Sequence, residues 1–284
     1  MPSALITGSS SGFGRGVVSE LLDRGYRVYA TLRDAAERSA AFAGERERHG
    51  VRLQLFSLDV TDAAQRQAVI ERVLSDGPLD CLINNAGYAQ FGALEDLDEA
   101  QLRQQFEVNF FGAALLTRGL LPALRSARGV VLNVSSVFGF SGFPLSSAYC
   151  ASKYALEGLS EALYHELRPH GVRVGLVEPG GHRTGFGAAT QWGSASTPAY
   201  VDATDGYRRL HQHLTTRPEG TPPDAVVRTL VRLAQAERVP LRTVVGRDAS
   251  LTAALQRLLP ERVLAPITSA FTARMLRRGG AAAS

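Results

Sequence analysis

The strongest constraint on the fold is an alternation along the chain. Short runs rich in Val, Ile and Leu take turns with longer stretches in which apolar residues recur at helical spacing. The short runs lack a polar face of their own, as strands buried on both sides do. They predict strands at 3–7, 26–32, 52–57, 80–84, 129–135, 172–178 and 241–245. Helical periodicity predicts helices at 13–24, 62–76, 99–126, 148–169 and 222–236. Strands and helices in this order build a doubly wound parallel sheet, an α/β fold with helices on both faces.

Nothing divides the chain further. At 284 residues and 45% hydrophobic it holds enough apolar material for one large core, and no repeat or linker interrupts the pattern. One domain over 1–273 is expected, followed by a basic, small-residue tail, 274–284, expected to be disordered. The segment 184–221 breaks the rhythm with Gly, Ser and Ala, scattered aromatics and a short helix expected after Pro198. A connection that long above a parallel sheet reads as a substrate lid.

Charge and cysteines narrow the class. The net charge is +4 and the pI near 9.3, but the arginines are scattered among acids, as in 35–50, so a solvated surface and no nucleic-acid partner are expected. Cys81 and Cys150 stand in apolar or helical contexts and read as buried free thiols of a reducing compartment. With no leader-like start and no run near the ~20 apolar residues of a span, a cytoplasmic protein without a membrane segment is expected. No metal site is expected.

The chemistry concentrates in a few strings. "LITGSSSGFGRG" sets Gly8, Gly12 and Gly14 between the first strand and first helix, where glycines admit a tight turn and a close-lying pyrophosphate. "YCASK" places Tyr149 and Lys153 one helical turn apart. Lys153 is the only lysine; every other residue among the 31 Lys plus Arg is arginine. A free tyrosine titrates near pH ~10, so a neighbouring cation is needed for it to act as a base near neutrality. An ammonium is a compact charge with rotatable donors, whereas a guanidinium is larger, planar and always charged.

With "NNAG" (84–87), "NVSS" (133–136) and "EPG" (178–180), these strings resemble the short-chain dehydrogenase/reductase family, over residues 5 to 184. "VYATLRD" (28–34) and "YCASKYALEGL" (149–159) are similar to its NADP-linked steroid and retinol dehydrogenase branch. The resemblance implies a Rossmann-like sheet and a catalytic set of Asn109, Ser136, Tyr149 and Lys153. Tyr149 would be the acid or base, and Lys153 would also hydrogen-bond the nicotinamide ribose. Ser136, just past the fifth strand, would bind the substrate oxygen, with its neighbour Ser135 turned away. Asn109, alone, reads as a helix kink; in the family its counterpart holds a water near the lysine.

The same resemblance assigns cofactor contacts to Gly8, Ser10, Ser11, Gly12, Phe13, Gly14, Asn84, Ala86 and Gly87, besides Tyr149 and Lys153. Asp59 and Val60 match adenine contacts, and Pro179, Gly180, His182 and Thr184 match the segment that holds the carboxamide and diphosphate. At the end of the second strand Leu32 is uncharged, Arg33 follows, and Asp34 comes late for a ribose 2′-hydroxyl, which points to NADP(H). Tyr88, Phe91, Val137, Phe138, Phe143, Leu145, Phe186 and Trp192 flank the catalytic strings or lie in the lid, as the walls of an apolar pocket do. The expected function is NADP(H)-dependent interconversion of a lipophilic ketone and a secondary alcohol, by a homodimer or homotetramer packed through the helices 99–126 and 148–169. The rival is a non-catalytic NADPH-binding redox sensor, against which the intact catalytic set argues.

Overall fold

A computed structural model describes residues 1–182, 186–216, 222–260, 262–270 and 273. Thr184 and the tail 274–284 lie outside the described residues. The strands are β1 (Ser3–Ile6), β2 (Arg27–Leu32), β3 (Leu53–Ser57), β4 (Cys81–Asn84), β5 (Gln90–Phe91), β6 (Val130–Val134), β7 (Arg173–Pro179), β8 (Gln191–Trp192) and β9 (Arg242–Val245). Seven of them form one sheet in the order β3-β2-β1-β4-β6-β7-β9. Every pairing in it is parallel, Ala4 lying opposite both Val28 and Cys81. Each expected strand is present, its ends moved by no more than one residue.

The helices are α1 (Gly12–Asp23), α2 (Ala35–Arg38), α3 (Ala43–His49), α4 (Ala63–Asp76), α5 (Glu99–Phe106), α6 (Gly112–Ala127), α7 (Ser147–Leu167), α8 (Phe186–Ala189), α9 (Val201–Thr216), α10 (Asp224–Gln235) and α11 (Arg247–Leu258). Val17, Leu21, Val226 and Leu230 of α1 and α10 cover one face of the sheet. Val69, Val73, Leu116 and Leu120 of α4 and α6 cover the other, with Leu167 of α7. Side-chain caps fix two starts: Asp62 accepts from Ala64 and Gln65, and Asp98 forms a capping box with Gln101.

The expected single helix over 99–126 is broken. Glu107–Phe111 form a π turn between α5 and α6, one residue wider than the α-helical repeat. The expected helix after Pro198 is present as α9, 16 residues long. The lid is also sewn to the core, because β8 pairs with β5, Gln191 opposite Gln90 and Trp192 opposite Phe91.

The order of connections reverses between β1 and β4, opening a crevice beyond the carboxyl ends of the strands. Ser136, Gly180 and the glycine turn all follow strand ends on that edge.

Candidate active site

The glycine turn is shaped by near contacts. Gly8 has φ +67°, and a Cβ there would lie 2.9 Å from Ala86 Cα; one on Gly14 would lie 2.5 Å from the Gly8 carbonyl oxygen. Asn85, which the sequence reading passed over, clamps the turn. Its Nδ2 donates to the carbonyls of Thr7 (2.9 Å) and Gly8 (3.1 Å), while its backbone N–H and that of Ala86 donate to Thr7 Oγ1, each at 2.9 Å. Asn84, expected among the cofactor contacts, instead gives its amide to Thr117 Oγ1 (3.0 Å) and Asn133 Oδ1 (2.8 Å) inside the core. Consecutive residues at a strand end face opposite ways, so only one of the two asparagines reaches the turn.

The turn fits a dinucleotide phosphate: it opens α1, and Gly8 and Gly14 leave out Cβ atoms that would crowd its backbone. Ser11 precedes that helix in extended conformation without capping it through its hydroxyl, and Ser10 is half-buried beside it. Gly12 has φ +55°. Phe13 packs its ring edge-on to His182 at 5.7 Å, tying the turn to the segment after β7. There His182 Nδ1 lies 3.0 Å from the Gly180 carbonyl oxygen, and the Asp248 carboxylate accepts from Gly181 N–H at 2.6 Å. Pro179 is the last residue of β7. Asp59 Oδ1 accepts from Thr61 N–H and Oγ1, and Val60 is buried. Arg33 is exposed just beyond β2, while Leu32 is 1% exposed and packs in the core.

Tyr149 and Lys153 lie one turn apart in the first half of α7, both buried. Lys153 Nζ donates to the Val134 carbonyl at 2.9 Å and lies 5.8 Å from the centre of the Tyr149 ring. The π turn carries Asn109 toward the same point. Its Nδ2 donates to the Tyr88 carbonyl (3.0 Å) and Ser152 Oγ (3.1 Å), its Oδ1 accepts from Tyr88 N–H (3.1 Å), and a Cβ on Gly87 would stand 3.2 Å from that Oδ1 and 3.7 Å from Lys153 Nζ. Ser136 sits just past β6 and accepts from Phe138 N–H at 3.3 Å.

Burial dominates the electrostatics. It pushes the Tyr149 phenol well above its usual range, with the Ser136 hydroxyl bond working the other way, so Tyr149 stands protonated as a donor. It also pushes Lys153 down to about 8, opposed by the negative charge of Glu157. The lysine therefore sits near the point where it can lose or keep its proton at neutral to mildly alkaline pH.

An aromatic wall closes over the phenol. Phe91, Phe138 and Phe186 have ring centres 5.9, 5.3 and 5.9 Å from that of Tyr149. Trp192 packs on Phe91 at 5.7 Å, and Phe143 on Phe138 at 4.5 Å. Five of the eight expected pocket residues thus gather here. Tyr88 and Val137 are buried, the former joined to Asn109 through its backbone. Leu145 lies further out, where with Phe143, Gly92 and Tyr200 it lines a cavity of about 670 Å³.

Two wall residues escaped the sequence reading. Tyr207 and His211 of α9 pack on Phe91 at 5.2 and 5.3 Å, and the Tyr207 hydroxyl lies 3.2 Å from Ser146 Oγ. Their four-residue spacing on a helix was the available signal.

The sequence and the fold resemble those of known proteins. A family model described as short chain dehydrogenase matches residues 2–193. A 3-ketodihydrosphingosine reductase of Bacteroides thetaiotaomicron is 34% identical over 245 residues, 85% of this chain and 87% of that one. A solved short-chain dehydrogenase from Streptomyces avermitilis superposes with a TM-score of 0.82 at 36% identity, covering 95% of this chain and 97% of its own. A Burkholderia cenocepacia enzyme in complex with NADP (TM-score 0.74, 26% identity, 93% and 96% covered) and a Burkholderia phymatum one in complex with NAD (0.76, 25%, 90% and 92%) share the fold.

Proposed function

Because the chain belongs to the short-chain dehydrogenase family, we propose that it is an NADP(H)-dependent oxidoreductase acting on a lipophilic ketone or its secondary alcohol. The family supports a nicotinamide cofactor and alcohol–carbonyl chemistry; the choice of NADP and of substrate class is this proposal. The observation that carries it is the meeting of Tyr149, Lys153, Ser136 and Asn109 under an aromatic wall, beside a tight glycine turn at the start of α1. The same intact set weighs against a cofactor-binding sensor without turnover.

When bound, a nicotinamide would supply the hydride chemistry; the chain orients the partners and moves the proton. Tyr149 Oη holds that proton and gives it to the carbonyl oxygen during reduction. Ser136 Oγ, which favours ionisation of the phenol, lies where it can bind the same oxygen. Lys153 stabilises the phenolate left behind, and Asn109 braces the Tyr88 backbone beside it. The wall excludes water, which strengthens each of these interactions.

Lipophilicity is supported by the rings around Tyr149 and by the 3-ketodihydrosphingosine in the name of the Bacteroides relative. NADP is supported by Arg33, an exposed guanidinium at the strand end where a 2′-phosphate would lie. Association through α5, α6 and α7 is supported by Phe111 and Tyr154, 41% and 45% exposed on those surfaces. A cytoplasmic setting is supported by the two buried free thiols. Among the described residues no helix is long and apolar enough to cross a membrane.

The deciding experiment follows NADPH absorbance across a carbonyl panel. Long-chain and cyclic apolar ketones should be reduced faster than short hydroxy acids or sugars; activity confined to the latter would refute the substrate class. For the cofactor, Arg33→Ala should weaken NADPH roughly 10-fold or more by removing a charge-assisted bond, and leave NADH nearly unchanged. Leu32 is the poorer handle, because an acid there would be buried in the core. Equal losses for both cofactors in a titration would reassign Arg33 to the surface.

A further inference from the structure

Beneath Lys153 lies a second set of charges that the mechanism above does not use. Glu157 stands one turn further along α7, Glu178 near the end of β7, and Arg242 at the start of β9. Arg242 Nε lies 3.0 Å from Glu157 Oε2 and 3.6 Å from Glu178 Oε1, and its Nη2 is 2.8 Å from Glu161 Oε2. The Glu157 and Glu178 side chains are 7% and 1% exposed. One guanidinium thus faces three carboxyl groups, two of them buried.

Two buried carboxyls at one site do not both ionise readily, because each charge raises the cost of the other. Glu157 Oε1 and Glu178 Oε1 receive no hydrogen bond from the described residues, which leaves an acceptor on each for a shared proton. The set also adjoins the floor of the lysine. Lys153 Nζ is bonded to the Val134 carbonyl, and the next residue, Ser135, packs with Glu157 against Gly139, where a Cβ would lie 2.5 Å from Ser135 Oγ and 3.1 Å from Glu157 Oε1.

We propose that Glu157 and Glu178 are positioning residues that share one proton and thereby set the charge on Lys153, Glu157 supplying the negative charge and Glu178 holding the proton. The proposal deepens the catalytic reading above and rests on it for its consequence in turnover. The groups that face the pair are Lys153 and Glu161 on α7, Arg242 on β9 and Arg257 on α11, with Ser135 as a neutral hydroxyl. Burial raises Glu178 to about 8, helped by the Glu157 charge and opposed by Arg242. Burial raises Glu157 as well, opposed by Ser135 and Arg242.

The signs follow. Without the Glu157 charge, burial acts on Lys153 unopposed by it, and the ammonium loses its proton at lower pH. Glu178→Gln replaces the proton-bearing carboxyl by a neutral amide that can still donate to Glu157, so Glu157 stays ionised and Lys153 keeps its proton.

Because Lys153 is the only lysine, protein labelled with 13C at lysine Cε gives one lysine signal whose shift against pH reads this group alone. Glu157→Gln should lower the midpoint by about one pH unit. Glu157→Asp should restore at least half of that shift, and Glu178→Gln should leave the midpoint at or above its original pH. The alkaline limb of kcat/KM for carbonyl reduction should follow the same order. An unmoved midpoint in Glu157→Gln, or equal lowering by Glu157→Gln and Glu178→Gln, overturns the proposal. A protein that reduces no carbonyl overturns the functional reading, while the lysine titration still decides the pair.

Discussion

Tyr149→Phe is expected to fold, to bind NADPH and to lose about 10³-fold in turnover, within the range that removal of a positioned general acid gives. The phenol sits among Phe91, Phe138 and Phe186, so a phenyl ring keeps the packing and only the hydroxyl disappears. Circular dichroism and NADPH titration should therefore match the unmutated protein, and single-turnover reduction should collapse. Turnover within a few-fold of the original would transfer the proton-donor role to another group, with the Tyr207 hydroxyl the first to test.

Lys153→Arg is expected to lose about 100-fold, the cost of displacing a reacting geometry by about 1 Å. The ammonium occupies a narrow place: it is buried, bonded to the Val134 carbonyl, and a methyl on Gly87 would already be 3.7 Å from Nζ. A guanidinium carries the charge but needs more room and fixed directions for its donors. Thermal unfolding should show a modest loss of stability, since helix propensity is hardly changed. Turnover near the original rate in folded Lys153→Arg protein would mean that the isolation of this lysine among arginines has no catalytic cause.

The sheet was legible because its signal is local: short apolar runs such as 130–134 announce themselves without reference to what they touch. Tyr149, Lys153 and Ser136 were legible through fixed spacing along the chain. What escaped is what only tertiary contact defines. The two-residue strands β5 and β8 have no period of their own and exist because the lid lies along Ala89–Phe91. Asn84 and Asn85 are indistinguishable as a string, and only the strand register says which one clamps the glycine turn. Asn109 reads as a kink, and the π turn that carries it between α5 and α6 has no signature of its own in the sequence. The Glu157, Glu178 and Arg242 set comes from three elements far apart in sequence, with no motif to mark it.

The stitching of the lid has a kinetic meaning. Gln191 N–H bonds to the Ala89 carbonyl and Gly193 N–H to that of Phe91, each at 2.8 Å, while Gln101 Nε2 holds the Trp192 carbonyl at 3.0 Å. The backbone above the phenol is therefore anchored like the sheet itself. Opening it costs several bonds at once and belongs to the microsecond or slower regime, whereas a ring can swing aside far sooner. On the proposed function, a ketone would then be expected to reach Tyr149 past turned aromatic side chains rather than under a lifted flap. Such an entrance would sieve by girth beside the carbonyl more than by length. Straight chains would thread it, and ketones branched on both flanks would stall at the rings.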